Sequence, residues 1–102
     1  MPAIKLILTW DIQTGKDREF VEFYVNEFSA GIQRLGVTIT DHWYTQAGAG
    51  PQVILGSTMA SAEAARALLV NPEFVRLRDR LLTLVEDFRW RIAKPTNRDF
   101  QF

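Results

Sequence analysis

The amino-acid sequence predicts an α+β domain in which four strands and two helices follow one another in the order βαββαβ. Two observations support this prediction. Four short stretches are rich in β-branched and aromatic residues or alternate between apolar and polar residues, which is typical of strands. Two longer stretches carry apolar residues at the helical spacing of 3.6. The chain has 102 residues, which is enough for one such domain and too few for two.

The four strands are predicted over residues 4–11, 37–45, 52–58 and 88–92. The first carries a wholly apolar row on one side, which we expect to face the helices: Ile4, Leu6, Leu8 and Trp10. Strict alternation divides the second strand into two sides, with Val37, Ile39, Asp41 and Trp43 on one and Thr38, Thr40, His42 and Tyr44 on the other. A Gly-rich break at residues 47–51 predicts a hairpin between the second and third strands.

The first helix is predicted from Lys16 to Leu35, where Thr14 and Asp17 have the spacing of a capping box and Gly36 is suited to the C-terminal position. Its apolar stripe is broad: Phe20, Val21, Tyr24, Val25, Phe28, Ile32 and Leu35. The second helix is predicted from Ala62 to Val70 with Ser61 as its cap, and it restarts at Asn71-Pro72. Its apolar face is predicted to continue onward through Phe74, Leu77, Leu81, Leu84, Val85 and Phe88.

Few topologies accommodate this order of elements, because crossover connections are right-handed. The simplest is the ferredoxin-like split βαβ fold, with a four-stranded antiparallel sheet in the spatial order 4-1-3-2 and both helices on one face. The other face would then meet water, so we predict a homodimer in which a second subunit covers it. We expect one domain over residues 1–95. A C-terminal tail, 96–102, carries Phe100 and Phe102, which are candidates to pack on the partner subunit.

Charge and composition exclude several classes of function. Twelve basic and twelve acidic residues cancel, which argues against a nucleic-acid partner and against a polybasic membrane binder. The chain has no cysteine, so disulfides, thiolate metal sites and a cysteine nucleophile are excluded. This composition suits a reducing compartment, and we expect a cytoplasmic protein. No cluster of residues has metal-ligand spacing, so we predict neither a metal nor a cofactor.

His42 is the only histidine and the first candidate for catalysis, because its ordinary pKa lies near neutrality. Asp41 cannot orient it, since neighbouring residues of a strand point to opposite faces. On the functional interpretation, His42 shuttles a proton in a pocket beside Tyr44; on the simpler one, it is a solvated residue of an edge strand.

Aromatic residues are the other candidates for a ligand pocket. The predicted ligand-binding set combines them with the histidine: Trp10, Tyr24, His42, Trp43, Tyr44 and Trp90. Packing in the core or at a dimer interface is the common alternative use of tryptophan. Arg89 and Arg91 share one face of the fourth strand. Arg89 is expected opposite Thr9, within reach of an ion pair with Asp11, and an anion clamp is the functional alternative.

Four short motifs resemble those of the dimeric α/β-barrel superfamily, and within it the NIPSNAP-like and antibiotic-biosynthesis-monooxygenase-like small domains. They are Thr14-Gly15-Lys16 followed by Glu19-Phe20, Leu35-Gly36, His42-Trp43, and Asn71-Pro72-Glu73-Phe74. The likeness runs from Ile4 to Lys94. The resemblance implies a homodimer whose sheets form a shared barrel with a pocket in each protomer. Because members include cofactor-free oxygenases, haem-degrading enzymes, isomerases and domains of unknown role, the fold does not assign a reaction.

The haem-degrading activity does not carry over, because those members use an Asn, Trp and His constellation and the first strand here has no Asn. The leading functional hypothesis is a homodimer that binds a small, partly apolar organic molecule. One alternative is a cofactor-independent monooxygenase or an isomerase with His42 as acid and base. A second alternative is a structural or interaction domain without a ligand.

Overall fold

The computed structural model describes residues 3–45 and 50–94. Four strands form one antiparallel sheet: β1 (Ile4–Ile12), β2 (Thr38–Tyr44), β3 (Val53–Met59) and β4 (Val85–Ala93). Their spatial order is β2-β3-β1-β4. This is the order 4-1-3-2, so the prediction of a ferredoxin-like α+β fold is confirmed. The expected C-terminal tail and most of the predicted hairpin loop lie outside the described residues.

The first helical rod spans residues 17–34 and has three parts: α1 (Asp17–Phe23), a π-helical segment (Tyr24–Phe28) and α2 (Ser29–Arg34). The rod is continuous, because Tyr24 and Ser29 keep right-handed helical dihedral angles at the two junctions. The predicted capping box at its start is wrong. Lys16 occupies the N-cap position without a side-chain hydrogen bond. Gly36 follows the rod with φ 99°, as predicted for a residue that ends a helix.

The second helical layer consists of α3 (Ala62–Leu69) and α4 (Pro72–Leu82). The Ser61 hydroxyl accepts a hydrogen bond from the backbone N–H of Ala64 at 3.0 Å, which confirms the predicted cap. Asn71 Oδ1 accepts from the N–H groups of Glu73 and Phe74. Proline at the first position of α4 leaves no donor unsatisfied there.

The core lies between the helices and one face of the sheet. Burial alternates along β1, and its apolar row is at most a few per cent exposed: Ile4, Leu6, Leu8, Trp10 and Ile12. Trp10 is fully buried, and its ring centroid lies about 6 Å from those of four aromatic side chains: Phe20, Tyr24, Phe28 and Phe88. This aromatic cluster joins the first helical rod to β1 and β4.

The predicted division of β2 into two sides is wrong at its start. The pairing with β3 shifts register between Ile39 and Asp41, which marks a β-bulge. Ile39 therefore lies opposite the buried Ser57, on the same face as His42 and Tyr44. Asp41 and Trp43 lie on the face of the sheet that points away from the helices, which we call the outer face.

The fourth strand begins earlier than predicted. Val85 and Phe88 belong to β4 and not to the helix that precedes it. A second register shift separates the Thr9–Arg89 pair from the Asp11–Glu86 pair, and Asp87 within it has φ 55°. Arg89 lies opposite Thr9 as predicted. The expected ion pair between Arg89 and Asp11 is not formed, and Asp11 Oδ1 accepts instead from the N–H of Gln52 at 2.8 Å.

Within the described part of the chain, no helix has the length and apolar character needed to span a bilayer.

Candidate functional site

A groove of about 330 Å³ lies between the first helical rod and the edge strand β2. Apolar and aromatic side chains dominate its lining, which also includes one serine and one histidine: Phe20, Val21, Tyr24, Val25, Ser29, His42, Trp43, Tyr44 and Val53. The groove has the composition of a small-molecule site, which is mostly apolar with a few polar groups.

The bulge in β2 determines which polar side chains reach this groove. After the register shift, His42 pairs with Leu55 and Tyr44 pairs with Val53. Leu55 and Val53 are buried under the helices. His42 and Tyr44 therefore lie on the helix side of the edge strand, where they border the groove. A bulge is a common device for re-aiming a side chain beside a functional site.

The π-helical segment forms the opposite wall. A π turn adds one residue to the helical repeat, so it changes which residues face the sheet, and such turns are frequent at functional sites. Phe28 is fully buried, whereas Tyr24 is half-buried and borders the groove together with Val25. The rod thus holds the core with one side and presents Tyr24 and Val25 to the groove.

Tyr24 is the polar group most affected by its surroundings. Its ring packs against Phe20 and Phe28, with centroid distances of 5.7 and 6.0 Å, and meets the His42 ring edge-on at 6.2 Å. Its hydroxyl is buried and has no hydrogen-bond partner among the described residues. Burial raises the pKa of Tyr24 to about 12, because it penalises the charged phenolate. At physiological pH the hydroxyl is therefore a neutral donor.

Tyr44 closes one end of the groove through polar contacts. Its hydroxyl donates to Asp17 Oδ2 at 3.2 Å, and Gln52 Nε2 donates to the same hydroxyl at 3.5 Å. Gln52 Oε1 also accepts from the N–H of Ile12 at 2.8 Å. Desolvation and the hydrogen bond to Asp17 raise the pKa of Tyr44. These contacts connect β2 to the start of α1 and to the end of β1.

Two valines of the first helical rod are more exposed than their predicted place in an apolar stripe implies. Val21 is 49% exposed and Val25 is 61% exposed, and both border the groove. Together with the exposed Tyr44 they form an apolar rim around it. A contiguous exposed apolar patch beside a concave surface is typical of a binding site.

The structure brings four of the six predicted ligand-binding residues together: Tyr24, His42, Trp43 and Tyr44. Trp10 is fully buried behind the groove and packs against two of its lining residues, Phe20 and Tyr24. Its indole Nε1 has no partner among the described residues. Trp90 lies on β4 at the opposite edge of the sheet, beside a separate depression that Phe74 and Leu82 also line.

Sequence reasoning missed Gln52, Asp17 and Ser29. Asp17 and Gln52 form hydrogen bonds with the Tyr44 hydroxyl, from positions 27 and 8 residues away in the sequence. No local sequence pattern indicates such contacts. Ser29 is the first residue after the π-helical segment, and a π turn leaves no periodic signal. The exposed pair Val21 and Val25, four residues apart, is the one feature that could have indicated the groove wall.

The groove offers one imidazole and two phenols for chemistry. His42 is exposed at its border. Across residues 3–45 and 50–94, no three histidine or carboxylate side chains come together as metal ligands. The groove thus combines apolar walls with the neutral hydroxyl of Tyr24 and the imidazole of His42.

Solved structures share this fold. A NIPSNAP family protein from Agrobacterium tumefaciens is 26% identical, with a TM-score of 0.70 over 94% of this chain and 88% of that one. A dabb family protein with a ferredoxin-like fold from Mesorhizobium loti is 18% identical, with a TM-score of 0.70 over 94% and 99%. A candidate antibiotic biosynthesis monooxygenase from Nitrosomonas europaea is 15% identical, with a TM-score of 0.69 over 94% and 92%.

These neighbours confirm the predicted resemblance in fold to NIPSNAP-like and antibiotic-biosynthesis-monooxygenase-like small domains. No family model and no curated protein matches the chain.

The Tyr24 pKa can be measured directly, because the chain has only two tyrosines. In a Tyr44→Phe variant, ultraviolet absorbance of tyrosinate should report Tyr24 alone, with a midpoint near 12. The native pKa lies above the ordinary value of 10.0. The unfolded chain therefore loses its Tyr24 proton at a lower pH than the folded protein does. The contribution of neutral Tyr24 to the free energy of unfolding is fully present below pH 10 and is lost as the pH rises toward 12. A Tyr24→Phe variant should lack this loss. A midpoint near 10 in the folded Tyr44→Phe protein would contradict the burial of the hydroxyl.

Proposed function

We propose that this protein binds a small, planar, partly apolar organic molecule in the groove between the first helical rod and β2. The observation that carries the proposal is the Tyr24 hydroxyl in the wall of an aromatic groove, a buried donor that has no partner within residues 3–45 and 50–94. Such a group costs about 1–3 kcal/mol when it is left unsatisfied. A ligand oxygen that accepts its hydrogen bond would recover that free energy.

The character of the walls restricts the ligand. None of the groove-lining side chains is a carboxylate, lysine or arginine. A strongly charged ligand would therefore lose its hydration without gaining an opposite charge. An aromatic compound with a carbonyl or quinone oxygen fits both requirements, since its rings can pack against Phe20 and Tyr24 while its oxygen accepts a hydrogen bond.

A catalytic role for His42 is the second candidate function. The supporting observation is that the only imidazole of the chain borders the groove, edge-on to Tyr24. It could act as acid and base in a cofactor-independent monooxygenase or an isomerase. One fold neighbour carries the name of a candidate antibiotic biosynthesis monooxygenase, which agrees with this idea without assigning a reaction.

The proposal includes a homodimer in which a second copy covers the outer face of the sheet. Ile7 and Ile54 are half-buried on that face, and no element of the described chain packs over them. The proposal also keeps a single domain over residues 1–95. The tail 96–102 remains a proposed contact with the partner subunit and lies outside the described residues.

A thermal-shift screen tests ligand binding. Quinones, aromatic polyketides and haem are suitable probes, and at least one planar aromatic carbonyl compound should raise Tm. Tyr24→Phe should weaken its binding about tenfold, which corresponds to the loss of one hydrogen bond of about 1.4 kcal/mol. Trp90→Phe is the matched control, because Trp90 lies at the other edge of the sheet. If no compound stabilised the protein, an interaction domain without a ligand would be the better account.

The catalytic candidate is tested once a bound compound has been found. In a His42→Ala variant, turnover of that compound should fall by about 10²–10⁴-fold if His42 is the general acid or base, while binding should change much less. Turnover equal to that of the wild type would remove His42 from the mechanism and leave the binding proposal intact.

A further inference from the structure

A second concave surface lies at the edge of the sheet formed by β4, whereas the groove lies at the edge formed by β2. We call it the β4-edge depression. Its volume is about 480 Å³, within the range of small-molecule sites. Five apolar side chains and one arginine line it, from the end of α3, one side of α4 and the middle of β4: Leu69, Phe74, Arg78, Leu82, Phe88 and Trp90.

Helix α4 contributes one row of side chains to this depression. Phe74, Arg78 and Leu82 are spaced four residues apart, so they follow one another along the same side of the helix. Leu77 and Leu81, on the adjacent side, are buried in the core. The row thus borders the core-facing side of α4, and an arginine stands in the middle of it.

Strand β4 contributes two aromatic rings from the same side. Trp90 pairs with Leu8, which is buried under the helices, so both residues belong to the helix side of the sheet. Phe88 stacks on the buried ring of Trp10 with a centroid distance of 6.1 Å, which fixes its position. Trp90 is 51% exposed because it lies on an edge strand.

The border of the depression is apolar and exposed. Leu82 is 41% exposed, and Val70, which follows Leu69 in the sequence, is 75% exposed. Exposed apolar side chains grouped beside a concave surface are typical of a binding site.

Arg78 supplies the polar group of the depression. Its Nη2 donates to Asp79 Oδ1 at 3.1 Å. Its Nε is buried and has no hydrogen-bond partner within residues 3–45 and 50–94. An arginine that only covered apolar surface would keep its donors in water. A buried N–H without an acceptor costs free energy, which a bound acceptor would recover.

The charged residues around the guanidinium leave room for an anion. Asp79 is 61% exposed and does not line the depression, so water screens its charge. On β4, Glu86 and Asp87 are balanced by Arg89 and Arg91. The guanidinium is therefore the charged group that an occupant of the depression would meet.

We propose that the β4-edge depression binds a small aromatic carboxylate, whose ring packs against Phe88 and Trp90 and whose carboxylate accepts a hydrogen bond from Arg78 Nε. Aromatic walls favour a ring, and a guanidinium favours a carboxylate. A doubly charged group such as phosphate would lose more hydration against these apolar walls. This site is additional to the groove, whose lining carries no arginine and suits a neutral ligand.

A matched pair of probes, naphthoate and its neutral analogue naphthamide, tests the proposal. The chain has three tryptophans, so a heteronuclear NMR spectrum shows three indole N–H signals, and Trp90→Phe identifies one of them by its loss. Naphthoate should shift the Trp90 signal until it saturates and should leave the signal of Trp43, beside the groove, unchanged. Naphthamide should bind about tenfold more weakly, because it loses the charge-assisted hydrogen bond.

Arg78→Gln tests the guanidinium itself. It should weaken naphthoate binding about tenfold and affect naphthamide less. Arg76→Gln is the matched control: Arg76 is an arginine of α4 that pairs with Glu73, and its side chain is 68% exposed. This variant should bind naphthoate as the wild type does. The proposal is wrong if the two probes bind the wild type equally, or if Arg78→Gln weakens both probes to the same extent.

The C-terminal tail is the competing occupant, because Phe100 and Phe102 lie a few residues beyond the end of β4. Replacing both phenylalanines with alanine should leave naphthoate binding unchanged. Binding that appeared only in this double variant would identify the tail as the occupant and overturn the proposal. So would the absence of any shift of the Trp90 signal at millimolar naphthoate. Ligand binding in the groove is measured with neutral compounds and with Tyr24→Phe, so it can survive either result.

Discussion

Alternating burial along β1 places Leu6, Leu8 and Trp10 beneath the helices and leaves Ile7 and Thr9 on the outer face. Both helical layers lie on one side of the sheet, so half of every strand's side chains have no cover within the described chain. The core, the groove and the uncovered face all follow from this one-sided arrangement. The apolar side chains on the second face of such a sheet are either exposed to water or covered by another surface.

The two edge strands carry the irregularities that give the molecule its candidate surfaces. The bulge in β2 turns His42 and Tyr44 toward the first helical rod and Asp41 and Trp43 away from it. The irregularity in β4 lies between Thr9 and Asp11 of the neighbouring strand. Central strands β1 and β3, by contrast, pair with each other without interruption. Regular pairing in the middle supports the core, while distortion at the edges determines which side chains face the candidate groove.

The sequence was sufficient to predict the order of the elements, because strand and helix periods are local signals. It also predicted the cap at Ser61 and the restart of the helix at Asn71-Pro72, because Ser61 and Asn71 bond to backbone groups two or three residues away. It could not predict the bulge in β2. One extra residue reverses the faces of a strand without changing composition. The π-helical segment at Tyr24–Phe28 was hidden for a similar reason, since its apolar residues continue a helical stripe.

The candidate site was predictable as a set of residues but not as a geometry. Aromatic character suggested Trp10, Tyr24, Trp43, Tyr44 and Trp90 equally, and only the packing of the first helical rod against β2 separates them. The burial of the Tyr24 hydroxyl and the polar link from Tyr44 through Gln52 arise from contacts between different segments of the chain. Such contacts depend on the register of the sheet, which local patterns do not determine.

The central claim is that the helices cover one face of the sheet and that a second copy of the chain covers the other face. Sedimentation velocity of the unmodified protein at micromolar concentration measures this most directly. The account predicts a species of twice the 11.7 kDa mass of one chain. A single species with the mass of one chain would show that the outer face is exposed to solvent and would contradict the account.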